Sequence, residues 1–86
     1  MKYYVYVLKN GFDDSLYKGM TDDIDRRLKE HNNGKKTKST KSKKPWDIFL
    51  LEEYDNWEEA RERELYLKSG IGRQWLASLK NIAHNQ

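Results

Sequence analysis

The chain has 86 residues, 17 of them basic and 14 acidic, for a formal net charge of +3, and it contains no cysteine. That length sets the expectation of one domain over residues 1–86, with a modest core because roughly 60–65% of the unfolded surface is buried at this size. Without cysteine, disulfide staples, thiolate-built zinc clusters and cysteine nucleophiles are excluded, and no stretch approaches the ~20 apolar residues that span a bilayer.

The first residues, MKYYVYVLKNG, hold an apolar stretch too short for a signal peptide, so the expected setting is the cytoplasm, with no membrane partner. Residues 2–9, KYYVYVLK, have the Tyr and Val content of a strand. Alternation puts Tyr4, Tyr6 and Leu8 on one face and Tyr3, Val5 and Val7 on the other. Asn10 to Asp14 is a turn by composition, and a second strand from Ser15 to Met20 closes a hairpin. Thr21 or Asp22 is placed to cap a helix that runs to about Asn32 or Asn33 and stops before Gly34.

Residues 35–44, KKTKSTKSKK, carry six lysines and no acid, and the remainder of the chain has 11 basic against 14 acidic residues. All the positive excess therefore lies in one loop. It either tracks a phosphate backbone, with an affinity that falls steeply in salt, or is an ordinary solvated lysine loop. Pro45 introduces a third strand, Trp46 to Tyr54, whose run Ile48-Phe49-Leu50-Leu51 reads as covered on both faces. Asp55 or Asn56 caps a second helix, with Glu58 or Glu59 placed for a capping box, extending to about Lys68. Gly70 and Gly72 are expected to break the chain before a short helix near Arg73–Lys80 that packs Trp75, Leu76 and Leu79. The fold class is α+β: a three-stranded, mainly antiparallel sheet flanked by helices, in the order ββαβαα.

Helical periodicity places charge where a core is expected. Ile24, Arg27, Leu28 and His31 share one face of the first helix. Either both polar groups sit at the edge of that stripe, Arg27 snorkelling and His31 bonded to a backbone carbonyl, or they belong to a site. In the second helix Trp57, Ala60, Glu64 and Leu67 lie in one arc. A carboxylate at Glu64 must then be protonated, coordinated to a metal, or paired, with Arg27 or a neighbouring lysine as the partner.

These residues also carry a resemblance. Tyr4-Val5-Tyr6, then Tyr17-Lys18-Gly19 followed by Met20-Thr21, then Arg26-Arg27-Leu28-Lys29-Glu30-His31-Asn32, the lysine-rich run from Gly34 to Pro45 with Thr40, and Glu59 to Lys68 stand in order. Together, over roughly residues 3–80, they resemble the GIY-YIG nuclease superfamily, in particular its small single-domain bacterial members. Tyr4 stands where glycine gives the family its name. Lys18 replaces the apolar middle residue of the second signature and, by strand alternation, is expected to be exposed. Met20 stands where some members place a lysine.

The resemblance implies a metal-dependent endonuclease that hydrolyses DNA phosphodiester bonds, with selectivity for branched, nicked or damaged DNA as an open possibility. It implies that Tyr6 and Tyr17 line the site and that one of them activates or orients the attacking water. Gly19 would let backbone approach the substrate. Arg27 would neutralise charge on the scissile phosphate, and His31 would bond the phosphate or assist proton transfer. Glu64 would hold one divalent ion, Mg²⁺ or Mn²⁺. Lys35, Lys36, Lys38, Thr40, Lys41, Lys43 and Lys44 are the expected nucleic-acid contacts, DNA ahead of RNA. The alternative is a DNA- or RNA-binding module that grips through residues 35–44 and cuts slowly or not at all.

Overall fold

The computed structural model describes residues 1–33 and 45–84, with the side chains of residues 83 and 84 left aside. The chain forms β1 (Tyr3–Asn10), β2 (Leu16–Thr21), α1 (Ile24–Asn32), β3 (Trp46–Tyr54), α2 (Trp57–Lys68) and α3 (Gly70–His84). This is the expected ββαβαα order. The sheet has the strand order β2-β1-β3 with both pairings antiparallel. The strand richest in β-branched and aromatic residues thus becomes the central one, hydrogen-bonded on both edges.

Alternation along β1 divides the core into two layers. Tyr3, Val5 and Val7 pack with Ala60 and Leu67 of α2 and Leu76 of α3. Tyr6 and Leu8 pack on the other face with Trp46 and, from α1, Ile24 and Leu28. The central strand therefore delivers its tyrosine hydroxyl toward α1 while its valines hold α2 and α3.

Several boundaries differ from expectation. The cap of α1 is Asp23, whose Oδ1 accepts from the Arg26 amide at 3.1 Å. Thr21 is instead a buried bridge: its Oγ1 accepts from the Asp23 amide and donates to the Asp23 carbonyl. Of the two candidates for the α2 cap, Asn56 is used, accepting from the Glu59 amide at 2.9 Å. β3 is an edge strand and is not covered on both faces: α1 meets it at Trp46 through Asn32, and Ile48 and Leu51 remain 42% and 44% exposed. A bulge between Val7 and Leu8 sets Phe49 outside the regular pairing with β1.

Gly70 and Gly72 lie inside α3 and do not break the chain. Ser69 turns the chain instead, leaving helical geometry while its side chain binds the Tyr66 carbonyl. Gly72 packs so closely on the end of α2 that an added Cβ would fall 2.7 Å from Leu67 Cα. The glycine is therefore a contact between helices. Among the described residues, no helix is long and apolar enough to cross a membrane.

Candidate active site

Tyr6 is the centre of the site. On β1 it pairs with Gly19 of β2 and Leu51 of β3, and it is 1% exposed. A Cβ at Gly19 would lie 2.5 Å from the Tyr6 hydroxyl oxygen and 2.6 Å from Cζ, so the missing side chain makes room for the phenol. On this side of Gly19 the space is filled by the Tyr6 ring.

The Tyr6 hydroxyl stands 3.1 Å from Nε2 of His31, which is fully buried in the last turn of α1. The hydrogen-bond partner of the imidazole on this side is thus a tyrosine hydroxyl, where a carbonyl was the ordinary alternative. Tyr17, on β2, lies with its ring centroid 4.8 Å from that of His31 and 6.5 Å from that of Tyr6. Trp46 closes the group from β3, edge-on to Tyr17 at 6.4 Å. Burial pushes the Tyr6 phenol up to about 12; the Tyr17 hydroxyl and Glu64 add to this, while the Arg27 guanidinium opposes it as a charge and as a hydrogen-bond partner. Tyr6 therefore keeps its proton at neutral pH.

That same electrostatic neighbourhood brings together residues from four elements: Tyr6, Tyr17, Arg27 and Glu64. Arg27 is largely buried, with Nε 3.1 Å from Glu30 Oε1. The pair is not aligned as a hydrogen bond, so Nε and Oε1 are both buried without a hydrogen-bond partner. A guanidinium in that condition has donor capacity to spend on an anion.

Glu64 is 6% exposed, and among the described residues it is the carboxylate that is buried. Its partners are Arg61 at 2.6 Å on Oε1 and Lys68 at 3.1 Å on Oε2, both half-exposed, and not Arg27. Pairing both oxygens answers the cost of burying a charge. Lys18, expected to be exposed, is half-buried, and burial, with Arg73 and then Lys68 nearby, lowers its pKa. No group of three or more His, Cys, Asp or Glu among the described residues could hold a metal ion. A lone buried carboxylate still fits Mg²⁺ or Mn²⁺, because such an ion keeps several waters and takes one or two carboxylates together with phosphate oxygens.

Asn32 escaped the sequence reading as a site residue. Its side chain donates to the Trp46 carbonyl at 3.1 Å and accepts from the Trp46 amide at 2.7 Å. It thereby ties the residue after His31 to the residue beside Tyr17. The adjacency of Asn32 to His31 was visible in the sequence, but its partner lies 14 positions away. The expected nucleic-acid contacts Lys35, Lys36, Lys38, Thr40, Lys41, Lys43 and Lys44 fall outside the described residues. A groove of 360 Å³ lined by Tyr54, Glu59, Glu62, Arg63 and Tyr66 contains none of the clustered residues.

A three-stranded sheet with two tyrosines on a hairpin, an Arg and a His one turn apart, and a buried Glu on a separate helix together make a small α+β domain. Residues 2–74 match the family model described as the GIY-YIG catalytic domain. The chain belongs to the GIY-YIG family, a nuclease family whose domain acts on nucleic acid. It is 43% identical over 65 residues to a UPF0213 protein of Clostridium perfringens, covering 76% of this chain and 69% of that one. A UPF0213 protein of Staphylococcus saprophyticus is 40% identical over 68 residues, covering 79% and 82%. The solution structure of a UPF0213 protein from Bacillus halodurans is similar with a TM-score of 0.55 and 38% identity, over 93% of this chain and 86% of that one.

Proposed function

We propose that residues 1–86 form a single nuclease domain that hydrolyses DNA phosphodiester bonds with one divalent metal ion, Mg²⁺ or Mn²⁺, preferring branched, nicked or damaged DNA. The observation that carries this reading is the convergence on Tyr6: a buried bond to His31, Tyr17 alongside, and Arg27 and Glu64 within electrostatic reach.

Phosphodiester hydrolysis needs a positioned water, neutralisation of charge on the phosphate and stabilisation of the leaving oxygen. Arg27, with a buried donor unspent, binds a phosphate oxygen as charge develops there. Tyr17 is the more accessible of the two tyrosines and orients the attacking water. The proton the water loses passes to the Tyr6 hydroxyl as that hydroxyl gives its own to Nε2 of His31, so Tyr6 is neutral before and after the step and the charge ends on the imidazole. Glu64 would hold the metal ion, which when bound polarises the phosphate and stabilises the leaving oxygen.

The test incubates the wild type and Glu64→Ala with single-stranded, duplex, nicked and branched DNA in Mg²⁺, Mn²⁺ or chelator. Cleavage by the wild type in metal, absent in chelator and in Glu64→Ala, is expected, fastest on nicked or branched substrates. Equal cleavage by both proteins sinks the assignment. Binding by both with steep salt dependence and no cleavage replaces it with the binding-module reading.

A further inference from the structure

The arrangement around Glu64 has a consequence for how a metal ion enters, resting on the reading of Glu64 as its ligand. Both carboxylate oxygens are already engaged, Oε1 by Arg61 and Oε2 by Lys68, on opposite sides of the group along α2. Lys68 also has cationic company: it and Arg73 of α3 both lie near enough to Lys18 of β2 to lower the Lys18 pKa further after burial has done so. Arg27 of α1 shares with Glu64 the surroundings of Tyr6, and its own charge is offset by Glu30. Glu64 is thus one buried carboxylate with a cation on each of its two oxygens.

A divalent cation meets a like-charged surround there, with its one anionic ligand blocked on both oxygens. Like charges at such range oppose binding, and partial burial makes them harder to screen. A phosphate group reverses the balance. It offers Arg61 and Lys68 an alternative anion, and it supplies the oxygens that a Mg²⁺-type ion uses to complete its coordination. Arg61 and Lys68 are half-exposed, so both can turn outward without unfolding α2.

We propose that Arg61 and Lys68 guard Glu64 against a divalent ion in the free protein and turn to the nucleic-acid phosphate when it arrives, so that metal and nucleic acid bind cooperatively. The two cations are positioning residues for the metal site and direct contacts for the phosphate. By linkage, an ion that binds better in the presence of nucleic acid must tighten nucleic acid by the same factor.

The test titrates Mn²⁺ into the nucleic-acid-free protein, following free Mn²⁺ by its electron paramagnetic resonance signal, for wild type, Arg61→Gln, Lys68→Met and Glu64→Gln. Thermal unfolding checks that each variant is folded. Removing either guard is expected to tighten Mn²⁺ about tenfold, and Glu64→Gln is expected to abolish binding. In parallel, duplex DNA affinity in chelator is read by fluorescence anisotropy. Arg61→Gln and Lys68→Met should weaken it and lower the salt slope by about one each, while Glu64→Gln should tighten it. Equal Mn²⁺ affinity in wild type and both guard variants, lost in Glu64→Gln, overturns the guard and leaves the metal site standing. Mn²⁺ bound by none of them, or retained in Glu64→Gln, overturns Glu64 as the ligand and the guard with it.

Discussion

The Tyr6 hydroxyl and Nε2 of His31 stand 3.1 Å apart, both side chains sealed from solvent, on elements separated by 25 residues in sequence. A hydroxyl can donate or accept, so the pair is satisfied in either imidazole tautomer. Neither group can be lost without leaving the other as a buried polar atom. This explains how a histidine on the apolar stripe of α1 is compatible with folding.

The same pair gives the protein an alkaline limit. Tyr6 holds its proton to about 12 in the folded state against an ordinary value of 10.0. Below pH 10 both the folded and the unfolded chain carry the neutral phenol, and its contribution to stability is fully present. Between pH 10 and 12 the unfolded chain releases the proton while the folded chain keeps it, so stability falls as pH rises through that window. The loss attributable to Tyr6 is on the order of 2 kcal/mol. Tyr54, also raised by burial and then by its bond to Glu52, adds to the slope. Urea unfolding of wild type and Tyr6→Phe from pH 8 to 12 should show a shallower decline in the variant; parallel curves would contradict this.

Gly19→Ala should displace the Tyr6 ring. The new methyl carbon would sit 2.5 Å from the hydroxyl oxygen, and Tyr6 is packed on its far side by the core around Leu8 and Trp46. We expect a loss of about 1–3 kcal/mol in stability from overpacking and a fall in cleavage similar to that of Tyr6→Phe. In a Tyr6→Ala background the ring is gone, and the same glycine substitution should cost little, which a double-mutant cycle measures directly.

What the sequence disclosed follows the range of each interaction. Periodicity is local, so the inward positions of His31 and Glu64 were readable from a few neighbours on each helix. The cap at Asp23 and the entry of α3 at Gly70 were not, because several polar residues compete near Thr21 and glycine is as compatible with a tight helix packing as with a break. The half-burial of Lys18 depends on α2 packing against β2. The exposure of Ile48 and Leu51 depends on which strand takes the sheet edge. Such facts are set by tertiary pairing and leave no mark in a local window.

Asn32 is the sharpest case, and its amide makes a separate prediction. Asn32→Ala leaves the Trp46 amide and carbonyl without their side-chain partners, at a cost of about 1–3 kcal/mol. Trp46 would then be free to shift against Tyr17, 6.4 Å away, and the tryptophan emission should change with the loss of stability. Asn32→Asp keeps the acceptor for the Trp46 amide and removes the donor to the carbonyl, so its stability should fall between wild type and Asn32→Ala. Equal stability of all three by thermal unfolding would show that the clamp contributes nothing.

Arg63 tests whether the neighbour of a site residue can be separated from the site. It precedes Glu64 on α2 but points to the other side, where Nε and Nη2 bond the two Glu52 oxygens at 2.8 and 3.1 Å. Its guanidinium carbon also lies 4.9 Å from the ring centroids of Tyr66 and Trp75. One planar cation therefore ties β3, α2 and α3 together, and its two-pronged bond to Glu52 raises its pKa further above an already high value. Arg63→Lys preserves the charge and loses both the fork and the stacking, so we expect about 1–2 kcal/mol of destabilisation. Cleavage measured well below the unfolding temperature should keep its metal dependence and KM. Glu64→Gln should do the reverse, folding with little loss and failing to cleave. Loss of activity in a folded Arg63→Lys protein would mean that the two sides of α2 are not separable and that the Arg63 strut sets the position of Glu64.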